Sequence, residues 1–75
     1  MILADGARVE WDSARKRWEV HILVGAEVIK RPISKHVAES GEAGMKDEAL
    51  RIARDEGYEI DPQKVAFEES AGHFS

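Results

Sequence analysis

Histidine is the residue type in this chain best suited to catalysis or metal binding, and it occurs at His21, His36 and His73. The surrounding patterns predict a strand, a loop and a chain end, so no two imidazoles have the spacing needed to bind one metal ion. The chain contains no cysteine, which excludes disulfides and thiolate metal sites. We therefore expect ordinary exposed histidines, no metal and no cofactor.

The remaining polar residues do not form a catalytic combination that the sequence pattern would indicate. The serines fall in predicted turns and chain ends, where serine is common because its hydroxyl bonds to nearby backbone. The acidic pairs are sequence neighbours, an arrangement that does not produce a tuned general acid and base. The segment 41–44 has neither the glycine spacing nor the lysine of a phosphate-binding loop. The sequence therefore predicts a protein that is not an enzyme, with no catalytic residue.

Charge is distributed unevenly along the chain, whose net charge is −4. Residues 7–36 hold seven Lys and Arg against four acids, whereas from residue 37 onward there are four against ten. The negative total disfavours simple affinity for nucleic acid, but the first part of the chain is basic. The candidate nucleic-acid contacts are the basic residues of the first loop and of one predicted sheet face: Arg8, Arg15, Lys16, Arg17, His21 and Lys30.

A three-stranded antiparallel meander over about residues 7–33 is predicted to position these side chains. Apolar and charged residues alternate within 7–11 and within 17–24, and a third strand follows at 27–33. A period of two is typical of a strand with one buried face. The inner face is therefore expected to be apolar, and the outer face carries the charges.

The apolar residues also predict how the strands pair. Asp12 opposite Arg17 aligns the two apolar sets and closes the first loop with opposite charges. A tight turn follows at Gly25-Ala26, with Gly25 suited to positive φ. The resulting pairs are Trp11 with Trp18, Val9 with Val20, Ile22 with Ile29, His21 with Lys30, Val20 with Arg31 and Leu23 with Val28. Leu23 and Val28 thus form a small outward apolar spot and are the interface candidates.

One helix is predicted to cover the inner face. Residues 45–56 carry an apolar stripe with acids in the first turn and arginines in the last, and Gly57 is a natural left-handed stop. The polar connection before it, residues 34–44, is interpreted either as a binding loop or as a long connection with no functional role.

The segment after the helix supports two interpretations. Residues 58–68 favour an extended hairpin in which Tyr58 pairs with Phe67 and Ile60 with Val65. Asp61 and Pro62 fit equally well the cap and first position of a short helix through residue 69.

Together these elements predict one small α+β domain over residues 1–69, consisting of the meander, one helix and the 58–68 segment. Residues 70–75 are expected to be a disordered tail. No apolar run approaches the length of a membrane span or a signal peptide, so we expect a cytoplasmic protein with no membrane partner.

The run Lys16 to Gly25, followed by Lys30-Arg31 and the helix around 46–49, resembles a known class of DNA-binding module. Such three-strand-plus-helix modules occur at the N-terminus of tyrosine-type phage integrases and in ethylene-response-factor domains. The resemblance covers about residues 6–57 and implies that the outer face enters the major groove. The 34–44 loop is longer than in that class, and Glu10 and Glu19 lie at the centre of the expected DNA face, where carboxylates oppose phosphate.

Three strands followed by a helix are also similar to the HicB-type antitoxin domain and to other small partner-binding modules. This resemblance implies a protein partner or a homodimer formed through the hairpin. The sequence therefore favours a non-catalytic binding or protein-interaction module, using the outer face of its sheet, with nucleic-acid binding as the alternative.

Overall fold

The computed structural model of the chain describes residues 2–68, so the expected tail at 70–75 and His73 lie outside the described residues. The elements in chain order are β1 (Ile2–Leu3), β2 (Gly6–Asp12), β3 (Arg17–Val24), β4 (Glu27–Pro32), α1 (Lys35–Ala38), α2 (Glu42–Asp55), β5 (Tyr58–Glu59), a 3-10 helix (Pro62–Lys64) and β6 (Val65–Glu68). The predicted α+β class, with an antiparallel meander and one main helix, is confirmed.

The meander has the predicted register. Strands β2 and β3 pair with Asp12 opposite Arg17 and Val9 opposite Val20, and β3 pairs with β4 so that Leu23 lies opposite Val28. Gly25 has a φ of 60°, which a residue without a side chain adopts at little cost. Local alternation and turn chemistry were therefore sufficient to align these three strands.

The segment after α2 is extended, as predicted, but it does not form a hairpin. Strand β6 pairs in parallel with β2, with Val65 opposite Ala7 and Phe67 opposite Val9. Strand β5 pairs in parallel with β1. The predicted pairs Tyr58–Phe67 and Ile60–Val65 are therefore wrong, because each short strand adds to the N-terminal part of the chain. The main sheet has the order β4-β3-β2-β6.

Asp61 and Pro62 begin a single turn of 3-10 helix. The Asp61 carboxylate accepts a hydrogen bond from the Gln63 N–H at 3.0 Å, and Pro62 occupies the start of the 3-10 helix. The alternative prediction of a helix through residue 69 is wrong in length, because the chain becomes extended again at Val65.

The polar connection before the main helix contains a helix of its own. Helix α1 is capped by Ser34, whose hydroxyl accepts a hydrogen bond from the Val37 N–H at 3.3 Å. Helix α2 begins at Glu42 rather than at Met45 and ends at Asp55. The early start was missed because Gly41 and Gly44 are poor helix formers. Gly57 has the expected positive φ, 92°.

The core lies between the inner face of the sheet and α2. Val9, Val20 and Ile22 are fully buried there, and the buried residues of α2 pack against them. Those helix residues are Met45, Ala49, Ile52 and Ala53. Helix α2 and the four strands of the main sheet therefore share a single apolar cluster, which fixes the sheet on one side and leaves its outer face to the charged side chains.

Candidate functional site

The structure places four of the six candidate nucleic-acid contacts on the sheet and two in the first loop. Alternation along β2, β3 and β4 places Arg8, Arg17, His21 and Lys30 on the outer face, with Arg8 opposite His21 and His21 opposite Lys30. Arg17 ends this row of contacts beside the first loop, and Arg15 and Lys16 lie in the loop itself. Glu10 and Glu19 are direct cross-strand neighbours at the centre, as the sequence predicted.

His21 connects the two central carboxylates. Its Nδ1 lies 3.2 Å from Glu10 Oε2, and its Nε2 lies 3.2 Å from Glu19 Oε1. An imidazolium can donate to both carboxylates, whereas a neutral ring presents a lone pair to one of them. His21 is 8% exposed and Glu19 is 6% exposed. The expectation of an ordinary exposed histidine at position 21 is therefore wrong.

The burial of His21 and Glu19 comes from long charged neighbours. Arg17 donates to Glu19 through Nε at 3.2 Å and Nη2 lies 3.1 Å from the same carboxylate. Arg8 Nε lies 2.9 Å from Glu10 Oε2. Within residues 2–68, Arg8 Nε and His21 Nδ1 are the buried side-chain nitrogens without a well-directed hydrogen bond, and both lie against Glu10. Both nitrogens approach the same oxygen, Glu10 Oε2, at 2.9 and 3.2 Å without the direction of a hydrogen bond.

The first loop is closed by Asp12. Its carboxylate accepts hydrogen bonds from the Ala14 and Arg15 N–H groups at 3.0 and 3.1 Å, and the Arg15 guanidinium lies 3.0 Å away. The backbone and side-chain hydrogen bonds from Arg15 hold the pKa of Asp12 below its ordinary value. Three of the candidate cations, Arg8, Arg15 and Arg17, are therefore already paired with acids of the same chain.

Lys16 and Lys30 differ from the three arginines, because neither makes an ion pair within the described residues. Both are exposed. Lys16 has a φ of 55°, a left-handed conformation that costs a side chain with a Cβ roughly 1–2 kcal/mol.

The interface candidates Leu23 and Val28 lie opposite one another beside the β3–β4 turn. Val28 is 46% exposed, and Leu23 is half-buried. The sequence interpretation missed two further apolar residues, Ile2 and Leu3, which are 61% and 71% exposed. We define the hairpin end as Ile2, Leu3, Leu23 and Val28.

The sequence contained signals for some of the site features that its interpretation did not predict. Arg8 and Glu10, and likewise Arg17 and Glu19, lie two positions apart, which places each pair on the same face of one strand. Intrastrand pairing could therefore have been anticipated. The exposure of Ile2 and Leu3 had no local signal, because two apolar residues at a strand start are equally consistent with burial.

Within residues 2–68 no group of three His, Asp or Glu side chains is arranged to hold a metal ion. Across the same residues, no helix combines the length and apolar character needed to cross a bilayer. No protein-family model matches the chain, and no curated protein or solved structure matches it. The resemblances to integrase, ethylene-response-factor and HicB-type modules therefore stay predictions.

Proposed function

We propose that this chain is a non-catalytic protein-interaction domain that pairs with a second copy of itself through the hairpin end. The observation that carries the proposal is the position of the exposed apolar side chains. Among residues 2–68 the large hydrophobic residues with high exposure are Ile2, Leu3, Trp11 and Val28, and three of these four belong to the hairpin end.

Backbone contacts hold the parts of the hairpin end together. The Asp5 N–H donates to the Leu23 carbonyl at 2.8 Å, and the Gly25 N–H donates to the Asp5 carboxylate at 2.7 Å. Gly6 then continues as the cross-strand partner of Leu23. Residues 2–3 therefore emerge beside the β3–β4 turn, and the exposed apolar side chains of both segments lie at one end of the sheet.

The edge of β4 is poorly suited to pairing with another strand, so contact through side chains is the better interpretation. The Ile33 N–H donates to the opposite Trp18 carbonyl, and antiparallel alternation then directs the backbone groups of Lys30 and Pro32 outward. Pro32 has no N–H to donate. The outward Lys30 carbonyl already accepts a hydrogen bond from Arg31 Nη1 at 2.8 Å. Proline and charge are common means of protecting an edge strand.

A second copy is a suitable occupant because an exposed apolar patch can bury itself against its own symmetry mate in a two-fold contact. The test is a mass measurement by light scattering over a wide concentration range. We expect the wild type to dimerise and the double variant Leu3→Ser/Val28→Ser to be monomeric. Ala14→Ser, at an exposed position in the opposite loop, is the matched control and should still dimerise.

A strict monomer at high concentration would overturn the proposal. So would a dimer that survives the double variant, because its interface would then lie elsewhere.

Nucleic-acid binding is the second candidate function, and the charge of Lys16 and Lys30 favours it. An amide-resolved NMR titration with a DNA duplex should give shifts at these residues that weaken as salt rises, because phosphate contacts release counterions. The absence of shifts at low salt would remove this candidate.

A further inference from the structure

A groove lies at the opposite end of the sheet from the hairpin end, between the β2–β3 loop and α1. Its volume is about 340 Å³, and its lining includes Trp11, Lys16, Arg17, Trp18, Lys35 and Glu39. We call it the tryptophan groove. From these contacts we propose that it binds single-stranded nucleic acid, with one base stacked on Trp11 and adjacent phosphates held by Lys16 and Lys35.

The aromatic wall of the groove is the first observation behind this assignment. Trp11 is 38% exposed and lies edge-to-face against Trp18, with ring centroids 5.7 Å apart and an interplanar angle of 65°. This packing holds the Trp11 ring in place while leaving part of its surface to solvent. An exposed, immobilised indole is a stacking platform for a nucleobase.

The charge of the groove is the second observation. Lys16 and Lys35 make no ion pair within the described residues, and Glu39 is the acid of the lining. The Arg17 guanidinium is paired with Glu19, so the positive charge of this lining residue is largely neutralised. The groove is therefore net positive in a chain whose total charge is −4, which favours an anionic occupant.

The backbone of Lys16 is the third observation. The left-handed φ of 55° would suit glycine or asparagine better, yet this position holds a lysine at the rim of the groove. Strained residues cluster at ligand sites, where the surrounding structure maintains them. The backbone at this position therefore places a lysine, and its charge, at the rim of the groove.

A peptide fits the groove less well than a nucleic acid. Peptides commonly dock by adding a strand to a sheet edge or by laying a helix along an apolar groove. The adjoining edge ends at Pro32, which cannot donate to a ladder, and the groove is short and has a charged rim. Stacking and phosphate contacts require neither a free edge nor a long apolar surface.

This inference rests on the second candidate function and moves its site from the outer face to the tryptophan groove. The test is a fluorescence titration of the full chain with an oligothymidylate at low salt, in which bound bases should quench the tryptophans. Trp11→Ala should weaken binding by about tenfold or more, as expected from the loss of one stacking contact. Lys35→Gln should lower the slope of log affinity against log salt by about 0.7.

Lys16→Gly separates binding from folding. The variant relieves the left-handed strain and should raise the thermal midpoint by about 4 °C or more while weakening oligonucleotide binding. Lys64→Gln, at an exposed cation outside the groove lining, is the matched control and should leave binding unchanged. Lys30→Gln tests the outer face of the sheet separately.

Three other outcomes would each contradict the binding of single-stranded nucleic acid in the tryptophan groove. Loss of binding in Lys30→Gln but not in Lys35→Gln would return the site to the outer face and preserve the second candidate function. An acidic peptide that binds the groove where the oligonucleotide does not would assign it to a protein partner. No binding of single strand or duplex at low salt would remove the groove proposal and the second candidate function together.

Discussion

The two faces of the main sheet both contain buried side chains, but they bury them by different means. On the inner face, Val9, Val20 and Ile22 are enclosed by α2 and the core around it. On the outer face, Glu19 and His21 are almost as inaccessible, although they are surrounded by long charged side chains rather than by a second layer. The inner face is closed by tertiary packing, and the outer face is closed by ion pairs and hydrogen bonds among its own side chains.

This difference teaches that burial alone does not identify a core. Apolar burial is non-directional and scales with the area removed from water. The burial of Glu19 and His21 depends on hydrogen bonds and charges that must be correctly placed, because a buried polar group without a partner is costly. Substitutions on the two faces should therefore lower the free energy of unfolding for different physical reasons.

The largest effect is expected on the inner face. Ile22→Ala removes a fully buried side chain and should lower the free energy of unfolding by about 2–5 kcal/mol, enough to unfold much of a domain this small. Urea denaturation measures the loss. Ile29→Ala, at the half-buried cross-strand partner, should cost less. Equal losses at the two positions would show that burial by α2 does not set the energetics.

A smaller effect is expected on the outer face. His21→Leu removes the imidazole partner of Oε1 of the buried Glu19, whose Oε2 keeps Arg17, and should cost about 1–3 kcal/mol. Replacing Glu19 by Leu as well should recover most of that loss, because a buried polar pair is often replaceable by an apolar one. If the double variant is no more stable than the single one, the outer face is held by the shape of these residues and the contrast between the faces is lost.

The smallest effect concerns the loop that ends the outer face. The pKa of Asp12 is lowered in the folded chain by its hydrogen bonds from Arg15, so its stabilising contribution is fully present above the unfolded value of about 3.9. That contribution is lost as the pH falls through the lower folded value. We therefore expect Asp12→Asn to be less stable than the wild type at pH 7 and closer to it at pH 2.5, as measured by urea denaturation. A stability difference that does not change with pH would contradict this.

The sequence was sufficient for the meander because its determinants are local. Asp12 opposite Arg17 and the turn at Gly25 together set the register of β2, β3 and β4, since a slip of one residue would expose every apolar side chain. The strand pairs of β5 and β6 were not predictable in the same way. Alternation at Val65 and Phe67 indicates a strand but carries no information about its partner, which is chosen by where α2 returns the chain.

The candidate site was likewise predictable only in part from the sequence. Alternation correctly assigned Arg8, His21 and Lys30 to one face. It did not reveal that Arg8 and Arg17 are occupied by acids two residues away, nor that Lys35 lines a groove with Trp11. The first follows from strand geometry and was accessible from the sequence. The second requires the position of α1, a one-turn helix whose only local signal was the cap at Ser34.

The parallel pairing of β2 with β6 has a kinetic consequence. The pair joins residue 7 to residue 65, so the ladder beside the central strand cannot close until nearly the whole described chain has been synthesised. Contacts this distant in sequence raise the contact order and slow folding relative to a purely local meander. Until β6 arrives, the backbone of β2 is an open template next to a finished hairpin. The interval between hairpin formation and strand insertion is therefore when this protein is most exposed to mispairing with a neighbouring chain.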